Sequence, residues 1–174
     1  MSTPDIKPRS RTVTDGLERA AAAGVRVKIV FERKSDARRY GLSAAELMEM
    51  RCNACHRAED ATRGMPLLNE AKALVKAKKC ASCHAIEGKG GTAGPDLSTT
   101  GETPPERRHF PTGWTRPRTA LGWHVGHMLE PTSTSPGSEM KVFGFSEREA
   151  TALSVLVSSW RRVKLPAAWL PAKK

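Results

Sequence analysis

"KKCASCHAIE", residues 78–87, decides how this chain is read. Two residues separate Cys80 from Cys83, and His84 follows at once. Cys-x-x-Cys pairs serve disulfides, zinc ribbons, thioredoxin-like redox chemistry and covalent haem attachment. The next residue separates these uses, because Cys-x-x-Cys-His is the c-type haem pattern. Upstream, "RCNACHRAED" (residues 51–60) repeats it with Cys52, Cys55 and His56. All four cysteines lie in these two pairs. With only 5 histidines in 174 residues, a His after both pairs is a rare coincidence. The 24 residues between Cys55 and Cys80 exceed the usual spacing of a zinc site, so a zinc-binding module is the weaker reading.

The chemistry requires this spacing. Two intervening residues bring both sulfurs onto one helical turn, where Cys80 and Cys83 can form thioethers to two vinyl groups. The adjacent His84 then offers its imidazole to iron. An axial His also needs an acceptor for its other ring nitrogen, which fixes the tautomer.

Outward from that stretch, "NEAKALVKAKK" predicts a helix over about 69–79 capped by Asn69, and "LSAAELMEM" predicts an earlier one. In the earlier helix Ser43 and Glu46 form a capping box, and Leu47 and Met50 share a face. A short helix followed by the Cys-x-x-Cys-His motif thus occurs twice, a weak internal repeat. Downstream, "GKGGTAGPDL" is a glycine-rich turn region, and residues 98–118 form a loop. "TALGWHVGHMLEP" is a short helix ended by Pro131, and "TSTSPGSEM" is an extended loop turning at Pro136-Gly137. Ser146 and Glu149 form a second capping box, opening a final helix of about 146–163. Its apolar stripe is Leu153, Leu156, Val157 and Trp160.

In that order, residues 66–163 resemble a class I c-type cytochrome: a helix, "CASCH", "GPDL", a helix ending at Pro131, a loop presenting Met140, and a final amphipathic helix. The resemblance implies a mostly α fold with N- and C-terminal helices packed around haem. It implies the carbonyl of Pro95 as the acceptor for His84 and Met140 as the sixth ligand. The interval from Pro131 to Met140 matches that between proline and ligand in mitochondrial cytochrome c; Lys141 stands where the family often has proline. His127 falls where a haem-facing tyrosine hydrogen-bonds the methionine sulfur. Filled by His84 and Met140, that iron has no open position, which favours electron transfer over oxygen or peroxide chemistry.

The first motif is expected to bind a second haem, with Cys52 and Cys55 as thioethers and His56 as proximal ligand. No second Gly-Pro, methionine loop or closing helix follows it. Its distal ligand is expected to be His124, at a position usually aliphatic in related cytochromes, with Met65, His109 and His127 as alternatives. A partner chain is a further source.

The domain reading is a basic extension over 1–41, the extra motif and its helix over 42–65, the cytochrome domain over 66–163, and a basic tail over 164–174. Within the extension, Val25–Phe31 alternates as an edge strand would. Net charge is +11, from 29 Lys plus Arg against 18 Asp plus Glu. Basic groups cluster at Arg107, Arg108, Arg116 and Arg118, and again at Arg161, Arg162, Lys164, Lys173 and Lys174. Such charge suits an acidic docking partner or an anionic membrane surface, and no nucleic-acid recognition motif accompanies it. Aromatic residues are 5% of the chain, against 14 glycines and 12 prolines. That is a thin apolar inventory unless porphyrin supplies the core. No secretory leader or bilayer-spanning run is visible, whereas haem attachment implies a periplasmic or other extracytoplasmic compartment.

The expectation is a dihaem c-type cytochrome carrying two covalently attached haem c groups between redox partners. It is expected to be an electron-transfer protein and a subunit of a larger respiratory or electron-transport complex. A small peroxidase-like haem enzyme using the first haem is the alternative.

Overall fold

The computed structural model describes residues 40–162. Nearly all of the basic extension, including Val25–Phe31, and the tail from residue 163 lie outside the described residues.

Helix α1 spans Ala44–His56. It opens on the expected capping box: Ser43 Oγ accepts from the Glu46 N–H at 3.3 Å, and Glu46 Oε2 accepts from the Ser43 N–H at 2.6 Å. It runs on through Cys52 and Cys55 to His56, several residues beyond the expected span. The side it buries carries Glu49, Met50 and Asn53, a mixed polar and apolar set. Both polar members have partners. Asn53 Nδ2 donates to Ser159 Oγ at 2.7 Å, and Glu49 Oε2 accepts from the Leu68 N–H at 2.9 Å.

Helix α2 spans Pro66–Ala77, with Pro66 pre-set for the first turn and Met65 at the N-cap without a capping side chain. Asn69 is therefore not the cap; the helix starts three residues earlier. The cap comes from α1, through Glu49. Burial pushes the Glu49 carboxyl up, and the Leu68 and Leu67 N–H groups only partly offset it. Asn69 instead clasps the preceding loop, its Oδ1 accepting from the Thr62 N–H at 2.7 Å and its Nδ2 donating to the Thr62 carbonyl at 2.9 Å.

Beyond α2 the chain turns through Lys79, in the left-handed region at φ 55°, into a 3₁₀ turn at Cys80–Ser82. A two-residue hairpin follows, β1 (Ala85–Ile86) antiparallel to β2 (Lys89–Gly90). The region up to residue 119 is loop, as expected, apart from 3₁₀ turns at Thr100–Glu102 and Pro105–Arg107. Helix α3 is Ala120–Leu129, and the short α4 is Pro131–Thr134. Pro131 thus ends one helix by starting another, and the following loop is shorter than the sequence suggested. Helix α5 is Glu147–Ser159, opened by the Ser146–Glu149 capping box and closed at Trp160, short of residue 163.

Helix α5 is the centre of the molecule, packed by α1, α2 and α3. Leu153, Leu156, Val157 and Trp160 are all buried, as the stripe predicted. So are Ala150, Ala152, Ser154, Val155, Ser158 and Ser159, which leaves most of the helix without a solvent face. The small residues let neighbouring helices approach α5 closely, and α1 packs on it beside α2, as the Asn53–Ser159 and Glu49–Leu68 bonds show. The serines satisfy themselves locally, with Ser154 Oγ donating to the Ala150 carbonyl at 2.6 Å and Ser159 Oγ to the Leu156 carbonyl at 2.5 Å. Each fully buried Leu or Val contributes roughly 1.5–3 kcal/mol. No helix among the described residues is long and apolar enough to cross a membrane.

Candidate haem-attachment sites

The second motif is built from backbone. Cys80 begins the 3₁₀ turn, Cys83 caps it, and the His84 N–H donates to the Cys80 carbonyl at 3.0 Å. The glycines that follow lie against this turn. A side chain at Gly90 would strike the His84 and Ala81 carbonyls, and one at Gly91 would strike that of Ser82. Gly94 lies flat on the imidazole, where a Cβ would stand 2.5 Å from His84 Cε1 and 2.7 Å from Nδ1. His84 Nδ1 donates to the Pro95 carbonyl at 2.8 Å, which leaves Nε2 for iron. These residues fit a covalently held haem: two thiols, one imidazole with a fixed tautomer, and a glycine cradle behind it.

Met140 is half-buried in the loop before α5, its N–H donating to Ser138 Oγ at 3.3 Å. His127, on α3, stacks on Trp123 with centroids 5.0 Å apart, and its Nδ1 pairs with Thr134 Oγ1 at 2.8 Å. Burial lowers its pKa first, and the nearby His84 lowers it further, so α3 brings His127 toward the second motif. His124 is 2% exposed. Its Nδ1 lies 3.5 Å from Ser158 Oγ, and its Nε2 has no hydrogen-bond partner. Burial holds its pKa well down, with the charges of Arg108 and His127 adding to the effect.

The first motif is built from side chains. Cys52, Cys55 and His56 stand at i, i+3 and i+4 on the last turn of α1, one face of an α-helix. Burial raises the Cys52 thiol pKa, with Cys55 and Glu49 adding to the rise. Lys72 of α2 closes the helix end, its Nζ donating to the carbonyls of His56 and Glu59 at 2.8 Å each. Glu59 Oε1 lies 3.0 Å from His56 Nδ1, off the line of the N–H, while Thr62 Oγ1 holds Glu59 Oε2 at 3.0 Å. Burial would raise the Glu59 pKa, but the adjacent His56 imidazole, the Thr62 hydroxyl and the Lys72 charge outweigh it. The donor set is again two thiols and an imidazole with a partner on Nδ1, and it fits haem in the same way.

Arg57, next to His56, ties the two motifs together. Its guanidinium pairs with Glu87 of the hairpin and donates to the Ser159 and Arg161 carbonyls at 3.2 and 3.3 Å. A cleft of about 180 Å³ is lined by residues of α1, α2, the hairpin and α5, among them Asn53, Lys72, Glu87 and Leu156.

The distal candidates for His56 are dispersed. His109 is exposed and offers its carbonyl to Trp123 Nε1 at 2.8 Å, Met65 caps α2, and His124 and His127 sit on α3. No hydrogen bond, ion pair or ring contact among the described residues joins any of them to Cys52, Cys55 or His56. No disulfide joins the cysteines, and no three His, Cys, Asp or Glu side chains converge as a metal cluster among the described residues.

The basic loop is partly internal. Arg108 stacks over Trp123 at 4.7 Å, donates to the Thr100 and Thr103 carbonyls at 3.1 and 3.2 Å, and is brought down to about 10 by burial. Arg116 pairs with Glu147 at the start of α5.

The sequence reading missed Glu59, Lys72 and Arg57. A carboxylate three residues after the axial His was the available signal for Glu59. The family model described as Cytochrome c matches residues 68–159. Comparison with curated proteins and with solved structures returned no match.

Proposed function

With more than half of its length matched, the chain belongs to the cytochrome c family, and on that premise we propose that it carries two covalent haems and passes electrons between redox partners as a docked subunit of an electron-transport complex. Family membership makes it an electron-transfer haem protein with covalently attached haem c. The second haem, the respiratory complex, the acidic docking partner and the extracytoplasmic setting are the proposed part.

The observation that carries the dihaem reading is the packing of the first motif. Its helix packs on α5 and α2, buries Asn53 against Ser159, and is linked through Arg57 and Glu87 to the hairpin after His84. A spare motif on an idle extension has no need of these contacts. Bound haem supplies one-electron iron chemistry at each motif. Cys80, Cys83 and His84 would hold one group with Met140 opposite, and Cys52, Cys55 and His56 the other. The Arg57–Glu87 link fixes the two attachment turns relative to each other.

His56 is 36% exposed and none of the internal candidates is bonded near it. The ligand opposite it is therefore proposed to come from the docked partner, with His124 as the internal alternative. The half-buried His56 and the Glu59 carboxylate also suit the peroxidase-like reading. Redox titration of the loaded chain tests the proposal, which predicts two one-electron waves. A single wave with the absorbance of one haem would defeat it. Carbon monoxide binding to half of the reduced haem is expected if the ligand is external, and no binding if His124 serves. Turnover of peroxide would favour the enzyme.

A further inference from the structure

The partners of the two axial histidines differ in charge. His84 gives its Nδ1–H to a neutral carbonyl, that of Pro95, at 2.8 Å. His56 has a carboxylate beside the same atom, Glu59 Oε1 at 3.0 Å. The carboxylate is held there. Thr62 grips its second oxygen, Asn69 grips the Thr62 backbone on both sides, and Lys72 fixes the Glu59 carbonyl.

An imidazole that donates to a carboxylate is a stronger electron donor through its other nitrogen than one donating to a carbonyl. Both that donation and the added negative charge favour ferric over ferrous iron. We propose that Glu59, through its carboxylate on His56, makes the first haem the lower-potential member of the pair, so that an electron shared between the two rests at the second. Electrons then enter on the α1 side and leave from the His84 side, one electron lost at the first iron for each gained at the second. Glu59 is a positioning residue, acting through His56. The inference rests on the dihaem reading.

The test is redox titration of the full, haem-loaded chain and its Glu59→Gln variant, each weighed intact to count haems. The lower midpoint should rise and the upper stay fixed, shifting electron distribution between the sites at least tenfold, about 59 mV for a one-electron couple. Thr62→Val, which frees the carboxylate without removing it, should move the same midpoint by less and covers the case in which the Gln variant misfolds. The electron paramagnetic resonance g-values of the first site should shift in both variants. Two haems with both midpoints unmoved, or a shift confined to the upper one, would overturn the inference. A wild-type chain with one haem would overturn the dihaem reading and the inference with it.

Discussion

The same five-residue motif occurs twice in this chain, in two unlike settings. Around Cys80–His84 the surroundings are main chain: a 3₁₀ turn, glycines pressed against carbonyls and imidazole, and the Pro95 carbonyl on His84. Around Cys52–His56 they are side chains: an α-helical last turn, Lys72 on its carbonyls, Glu59 on His56, and Asn69 clasping Thr62. A main-chain partner survives most substitutions. A side-chain partner can be changed one residue at a time, so the first site is the tunable one.

The largest expected effect separates the sites by what each does for folding. Replacing Cys80 and Cys83 by Ala removes the covalent haem attachment of the domain that the Cytochrome c family model matches. Far-ultraviolet circular dichroism on heating should then show no cooperative transition. Replacing Cys52 and Cys55 by Ala should leave a cooperative protein with one haem spectrum, because α5 is still covered by the apolar faces of α2 and α3. If the first pair proves the more damaging, the comparison is inverted.

Met140→Ala acts on the second site only. The red-region sulfur-to-iron absorption should vanish and the upper midpoint fall, with the lower one in place. An unchanged spectrum would assign the sixth position to another residue.

Asn53→Ala measures how firmly the first site is docked. It strands the buried Ser159 hydroxyl's partner side and opens space at a 0% exposed position. Chemical denaturation should show a loss of about 1–3 kcal/mol. A change within error would mean that α1 rests on α5 without depending on this bond.

Arg116→Ala is the smallest. Its pair with Glu147 is half-exposed and contributes at most about 1 kcal/mol. Hydrogen bonding from Arg116 holds the Glu147 carboxyl below its ordinary 4.5, so the contribution is present above that pH and fades as pH falls through the lowered value. Wild type and variant should converge in acid.

The difference in construction also explains what could be read in advance. Both capping boxes, the α5 stripe and the loop over 98–118 follow from local patterns, because each depends on residues close in sequence, and the His84–Pro95 pairing follows from the family resemblance. What escaped depends on contacts between distant segments. Glu49 caps α2 from another helix, so Asn69 looked like the cap. Arg108 turns inward onto Trp123, although its neighbours read as a surface cluster. Ser158 and Ser159 are buried against other helices, Ser158 beside His124 and Ser159 against Asn53. The grouping of His124 with Arg108 and His127 likewise depends on how α3 meets α5, which the spacing of histidines does not encode.

The central claim is that both motifs are occupied, and mass spectrometry of the intact, denatured chain tests it most directly, since thioether-linked haem stays attached. The account predicts the polypeptide mass plus two haems, falling to one when Cys52 and Cys55 are replaced. A wild-type mass with one haem, unchanged by that replacement, would contradict it.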